Sequence, residues 1–216
     1  MLVQELMSSK PVTVTADTSV PEALRIMRER KVRRLPVLDH HGKMVGIVSD
    51  KDLLYASPSP ATTLAIWEIS DLLAKLKVEK VMTREVVTVS GDTPLEEAAR
   101  IMTDRRIGGL PVMDGENLVG IITETDLFKA LLQQLGGRRS GVRVSVSSSG
   151  AKGTLAKITS AIFGAGGDIV GFGLSEIKGS GNEQWQMTFK VQDVPMDKLV
   201  EAIQPVVDKI LDVRET

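Results

Sequence analysis

Short β-rich runs and helix-period stretches succeed one another along the first 128 residues, and the whole succession is written twice. Residues 3 to 54 recur at 78 to 128: Met7 answers to Met82, Asp17 to Asp92, and Leu35-Pro36-Val37 to Leu110-Pro111-Val112, each pair 75 apart. From Gly46-Ile47 and Gly120-Ile121 onward the spacing is 74, so one residue is lost in the turn after Asp39 and Asp114. A repeat that accepts a deletion only in a turn is a structural duplication. Each copy predicts a short helical lead-in, a strand (Val12-Thr13-Val14, Val86 to Val89), a helix, two strands around a hairpin turn, and a closing helix. Ala23, Ile26 and Met27, and likewise Ala98, Ile101 and Met102, recur at helical spacing and should face a core. Thr93 as N-cap, Pro94 at N1 and Glu96 at N3 predict a capping box in copy two, while Thr18 or Ser19 is the expected cap in copy one.

Between the copies, Ala56-Ser57-Pro58-Ser59-Pro60-Ala61 predicts a loop, and Ile69, Leu72, Leu73 and Leu76 an amphipathic helix. After copy two, Gly136-Gly137-Arg138-Arg139-Ser140-Gly141 fits a mobile linker. A third unit follows with strand Val142 to Val146, helix Leu155 to Phe163 and strand Ile169 to Leu174. A Gly-rich turn at Lys178 to Asn182, alternating Trp185, Met187, Phe189 and Val191, a helix from Met196 to Ile203, and a last strand Val206 to Val213 complete it. The order is βαββαβ, the ferredoxin-like split arrangement. The expected organisation is 1–60, a linking helix 61–77, 78–135, a linker 136–141, and 142–216, of mixed α+β and α/β class.

Twenty-seven basic against 28 acidic residues, net charge −1, argue against broad contact with nucleic-acid phosphates. No apolar run approaches the roughly 18 residues of a membrane span, and the start lacks a secretion signal. A cytoplasmic protein with no membrane partner is expected. There is no Cys and only His40 and His41, which removes thiolate chemistry and leaves the usual general bases scarce. The two histidines sit in a predicted turn where adjacent side chains diverge, so solvent is a better reading than metal. Gly164-Ala165-Gly166-Gly167 follows a helix and precedes a strand, the reverse of a dinucleotide loop, and reads as a helix end.

The strongest constellation is Gly46-Ile47-Val48-Ser49-Asp50-Lys51-Asp52, answered by Gly120-Ile121-Ile122-Thr123-Glu124-Thr125-Asp126. Each is a buried strand ending in a hydroxyl residue, with an Asp three positions later in the first turn of a helix. Backbone N–H groups there favour an anionic phosphate, Ser49 or Thr123 can donate to it, and Asp52 or Asp126 can accept from both hydroxyls of a ribose. The plainer reading is a pair of helix caps. Arg33 and Arg34 precede the Leu-Pro-Val strand, and alternation predicts that one of them points to the cleft side. Gly108 at the Arg33 position of copy two leaves room for a base, or only relieves crowding at a strand edge.

On these two motifs, with Leu35-Pro36-Val37 and Leu110-Pro111-Val112 ahead of them, residues 1 to about 135 resemble a tandem CBS pair, the Bateman module. The resemblance implies two repeats packed through their sheets and two clefts that take adenine nucleotides (AMP, ADP, ATP) or related adenosyl ligands such as NAD or S-adenosylmethionine. It implies ribose contacts at Asp52 and Asp126 and phosphate contacts at Ser49 and Thr123. Apolar and backbone contacts to adenine fall on Val12, Val32 and Pro36 and on Val87, Ile107 and Pro111. Gly153-Thr154-Leu155-Ala156-Lys157-Ile158 and Gly167-Asp168-Ile169-Val170 make the third unit similar to an ACT domain, with Gly150 and Lys152 where that family often has an Asp and a Pro. Its resemblance implies pairing and an amino-acid site near Gly153 and Leu155. The domain order is similar to the acetoin-utilisation protein B group.

The reading is a non-catalytic sensor that needs no metal or prosthetic group, forms a homodimer or higher homo-oligomer, and signals to a protein partner by conformational or oligomeric change. The alternatives are an interaction module with vestigial clefts, and amino-acid sensing through the third unit.

Overall fold

Glycine and methionine positions that the two copies share decide how they assemble. The computed structural model describes residues 1–56, 75–177 and 184–216, which divide into the units Met1–Leu127 and Phe128–Thr216. Copy one contains β1 (Val14–Thr15), α1 (Val20–Arg30), β2 (Arg34–Leu38), β3 (Met44–Ser49) and α2 (Asp50–Tyr55). Copy two contains β4 (Val89–Ser90), α3 (Leu95–Arg105), β5 (Gly109–Asp114), β6 (Asn117–Thr123) and α4 (Glu124–Gln134). Each forms a three-stranded sheet, β1-β2-β3 or β4-β5-β6, with the first pair parallel and the second antiparallel. The predicted first strands shorten to two residues because only Val14 and Thr15, or Val89 and Ser90, reach the parallel neighbour.

The lead-ins are exchanged between the copies. Val3 N donates to Thr93 O at 3.0 Å and Ser8 pairs with Ile121 in both directions, while Val78 N donates to Thr18 O at 2.9 Å and Thr83 pairs with Ile47. The apolar core of copy one therefore contains Val78 and Met82 beside Val14, Val20, Ala23, Met27, Leu35, Val37, Val48 and Leu53. A Cβ at Gly46 would lie 2.6 Å from Met82 Sδ and 2.9 Å from Thr83 O; one at Gly120 would meet Met7 Sδ in the same way. Glycine at these two places is what lets the partner lead-in lie flat on the sheet.

Ala23, Met27, Ala98 and Met102 face the core as the periodicity predicts. The expected cap is found in copy one but not in copy two. Ser19 caps α1, its Oγ accepting from Glu22 N at 3.4 Å. In copy two Pro94 is the N-cap, with no side-chain bond, and Thr93 contacts Ser90 Oγ at 3.1 Å instead. Proline stands where copy one has serine, so its carbonyl, accepting from Ala98 N, opens the helix one residue later than the capping-box reading, and Met1 O satisfies Leu95 N at 3.1 Å.

In the second unit β7 (Val142–Ser148), α5 (Thr154–Gly164), β8 (Asp168–Glu176), β9 (Trp185–Gln192), α6 (Met196–Ile203) and β10 (Lys209–Glu215) follow in the predicted βαββαβ order. The sheet runs β10-β7-β9-β8 and all three pairings are antiparallel. Met187, Phe189 and Val191 point into a core with Val144, Val146, Ile158, Ile162, Leu199 and Ile203. The last strand begins at Lys209, not Val206, because Gln204-Pro205-Val206 close the helix as a 3-10 turn. Gly136 and Gly137, in the stretch expected as a linker, terminate α4: Gly137 N donates to Leu132 O at 2.7 Å and Gly136 adopts φ +63°. A Cβ at Gly171 would strike Leu135 and Gly136, so the helix end rests on a glycine of β8. The Gly164 to Gly167 stretch is a helix end, Gly167 N donating to Ile162 O at 3.0 Å. Most of the Ala56 to Ala61 loop, the helix through Ile69, Leu72 and Leu73, and the turn at Lys178 to Asn182 lie outside the described residues.

Candidate functional site

Strand β3 delivers Ser49 to the first turn of α2, and β6 delivers Thr123 to that of α4. Ser49 and Asp52 bond reciprocally: Ser49 Oγ accepts from Asp52 N at 3.3 Å, and Asp52 Oδ2 accepts from Ser49 N at 2.8 Å and Ser49 Oγ at 2.7 Å. Asp126 Oδ2 likewise accepts from Thr123 N at 3.1 Å and Thr123 Oγ1 at 2.7 Å. The capping geometry of the plainer reading is thus complete at Ser49, and at Thr123 the bonds into the Asp126 carboxylate repeat it. It also holds each carboxylate beside its hydroxyl at a strand-to-helix corner, a preorganised polar cluster. Asp126 is 8% exposed; Asp52 is half-buried.

A cleft of about 380 Å³ opens at the Ser49 corner. Copy one lines it with Arg33, Arg34, Ile47, Ser49, Asp50, Lys51 and Asp52, and copy two with Thr83, Glu85, Val86, Val87, Arg106, Ile107, Gly108, Gly109 and Glu124. Of the expected site residues, Ser49, Asp52, Arg33, Val87, Ile107 and Gly108 meet here. Hydroxyl and carboxylate come from one copy and the apolar wall from the other, a crossing that neither copy's sequence announces. It follows from the exchanged lead-ins, which bring Thr83 to Ile47 and carry Val86 and Val87 along. Under the repeat spacing the counterparts are Thr123 and Asp126 with Val12 and Val32; the last two pack on the copy-one core. Pro36 and Pro111 are buried in the central strands opposite Ile47 and Ile121.

Both arginines line the cleft, although alternation predicted one. Arg33 lies before β2 and escapes strand alternation, its carbonyl accepting from Asp50 N at 3.0 Å. Arg34, paired with Ser49 across the ladder, crosses to copy two: a Cβ at Gly108 would clash with Arg34 Nη2 and fall 2.5 Å from Glu124 Oε2. The room at Gly108 is therefore taken by Arg34 and Glu124 rather than left for a base. Burial holds the Arg34 guanidinium below its ordinary pKa, opposed by the charge of Glu124. Arg28 and Arg30 are exposed on α1.

In the second unit a smaller cleft of about 260 Å³ is lined by Gly150, Ala151, Lys152, Gly153, Thr154, Leu155, Leu174, Trp185 and Met187. Gly153 and Leu155, the two residues expected here, are both on its wall, with Gly153 at φ +85° opening α5. Trp185, whose ring lies against Gly150, was noted in the sequence only for its strand alternation. His40 and His41 are exposed, and no group of acidic or imidazole side chains that could hold a metal occurs among the described residues. No described helix is long and apolar enough to cross a membrane.

The CBS domain model matches residues 3–59 and 78–133. A solved CBS domain pair, that of protein MJ0100 in complex with 5′-methylthioadenosine and S-adenosyl-L-methionine, is 31% identical, covers 64% of this chain and 98% of its own, and superposes with a TM-score of 0.52. CBSX2 in complex with AMP is 35% identical, with 61% and 96% coverage and a TM-score of 0.51. A Vibrio cholerae protein assigned to acetoin utilization (AcuB) is 32% identical, with 60% and 89% coverage and a TM-score of 0.51.

Proposed function

The chain belongs to the CBS-domain family, and from that premise we propose that it is a non-catalytic regulatory protein that binds an adenosyl ligand at the seam of its two repeats and signals by a conformational or oligomeric change. The observation that carries the reading is the Ser49–Asp52 corner facing Val87 and Ile107 across one cleft. Asp52 takes both Ser49 bonds on Oδ2, and its other oxygen can accept from the ribose hydroxyls. Val87 and Ile107 supply an apolar wall for the base, and Ser49 with the N–H groups opening α2 supplies donors for a phosphate or its substitute. Asp126, Thr123, Val12 and Val32 take the same parts at the second seam, with Pro36 and Pro111 shaping the strand backbones beside them. The adenosyl ligands named in two solved neighbours support the ligand class.

In the second unit, the strand order and the cleft at Gly153 and Leu155 favour an ACT domain, and amino-acid binding there is the second reading. Resemblance to the acetoin-utilisation group is a pointer to a metabolic setting. The test is a thermal-shift panel of AMP, ADP, ATP, NAD, S-adenosylmethionine and amino acids on the full chain. A ligand at a hundred times its Kd stabilises the native state by about 2.7 kcal/mol. A rise with at least one adenosyl ligand is expected; a response to amino acids alone would transfer the sensing role to the second unit, and no response would leave an interaction module.

A further inference from the structure

The chain closes α4 at Gly136 and then turns back beside the helix. A cleft of about 400 Å³ lies there, walled by Lys129, Leu132 and Gln133 of the helix and by Gly136, Arg138 and Arg139 of the turn. Three of these side chains are cations, and no carboxylate stands among the described residues of the wall. Helical spacing explains one side of it, since positions 129, 132, 133 and 136 fall three or four apart and share a face. The other side depends on Gly136. Its φ of +63° turns the chain, and Arg139 N donates to Gly136 O at 3.0 Å, which brings both arginines back to the cleft.

The plain reading of cations after a helix is that they satisfy its last carbonyls. Here those carbonyls are already taken. Leu131 O accepts from Leu135 N at 3.0 Å, Leu132 O from Gly137 N at 2.7 Å and Gln133 O from Gly136 N at 3.1 Å, and neither arginine makes a side-chain hydrogen bond or ion pair with a described residue. The turn is also pinned. A Cβ at Gly136 would lie 3.0 Å from Val170 O and 3.1 Å from Lys190 Cγ, while Gln192 Nε2 donates to Ser140 O at 2.7 Å and Lys190 Nζ to Gly141 O at 3.1 Å. Both guanidinium groups are thus carried on a fixed backbone with their donors uncommitted. Three like charges around one concavity repel one another, and an anion between them removes that cost.

We propose that this cleft is an anion site for a compact oligophosphate. It shares no residue with the Ser49 cleft and lies within the unit Phe128–Thr216, so the proposal does not depend on the adenosyl reading. Each guanidinium offers a planar fork of donors that matches two phosphate oxygens, and the Lys129 ammonium adds a third charge. Leu132 is the single apolar side chain on the described wall. An organic skeleton gains little there, and a ligand that is nearly all charge is favoured over a carboxylic acid or an acidic peptide.

Calorimetry with tripolyphosphate on the full chain tests this, with citrate at matched ionic strength as a carboxylate anion for comparison. Two variants, the double substitution Arg138→Gln with Arg139→Gln and the single Gln133→Glu, are checked for folding by circular dichroism. Tripolyphosphate is expected to bind the wild-type protein more tightly than citrate and to weaken as salt rises. Removing both forks should weaken it by about tenfold or more. Gln133→Glu sets a carboxylate in the same wall without touching an arginine and should weaken it by roughly threefold. Equal tripolyphosphate affinity in wild-type protein and the double-arginine variant would overturn the site, and citrate bound as tightly as tripolyphosphate would overturn the phosphate class. No binding of tripolyphosphate at millimolar concentration would overturn both. If the double-arginine variant does not fold, Gln133→Glu decides: unchanged affinity contradicts the site.

Discussion

Ser19 and Pro94 stand at the same place in the two copies, and this single difference gives the two helices unequal ends. Ser19 Oγ accepts from Glu22 N at 3.4 Å, a long bond, so Ser19→Ala should cost about 0.5 to 1 kcal/mol, the lower half of the usual range for an N-cap. Thr93→Ala removes only an exposed contact with Ser90 and should cost a few tenths of that order at most. Urea denaturation of the two variants measures the difference, and equal costs would contradict the cap assignment. The later start of the copy-two helix was not legible beforehand, because a Thr-Pro-x-Glu string satisfies the capping-box pattern whichever residue opens the helix. At Ser49 and Asp52 the opposite holds: hydroxyl, spacing and carboxylate were legible, and the reciprocal bonds match them. Arg34 was half legible. Its place beside the cleft follows from the strand, but its reach over Gly108 depends on a packing that only the folded pair creates.

The lead-in segments decide the element scale. Each copy carries its own, and nothing in either segment says whether it folds back on its own sheet or lies on the other; identical patterns permit both. The exchange is specified by close approach. Gly46→Ala would press a methyl against Met82 Sδ and, at 2.9 Å, the rigid Thr83 carbonyl, whereas at Gly120 the corresponding carbonyl, Ser8 O, is 3.2 Å away. Gly46→Ala should therefore destabilise the Ile47–Thr83 pairing by about 1 to 3 kcal/mol, the cost of overpacking, and Gly120→Ala the Ser8–Ile121 pairing by less. Native-state hydrogen exchange of the Ile47 and Thr83 amides reads the first effect directly. Unchanged protection would mean that the lead-in does not depend on that contact. The same exchange explains why the cleft mixes residues of both copies.

For the whole molecule, the duplication and the βαββαβ order of the second unit were both legible from period and spacing, since long-range repetition and sheet alternation survive in a bare sequence. Assembly is a separate matter. Phe128, Leu131 and Leu132 are exposed on α4, and Leu54 and Tyr55 on α2, and such faces favour a homodimer. Light scattering should give about twice the 23.4 kDa of one chain or a higher multiple; a monomer at micromolar concentration contradicts it. The central claim is narrower, that the two strand-to-helix corners hold an adenosyl ligand, and calorimetric titration of the tightest ligand from the panel into Asp52→Ala, Asp126→Ala and the double variant tests it most directly. Loss of a charged hydrogen-bond partner should weaken the occupied cleft by about 1.5 to 3 kcal/mol, roughly ten- to a hundredfold, and the double variant should bind neither cleft at wild-type strength. Wild-type affinity in the double variant would contradict the account.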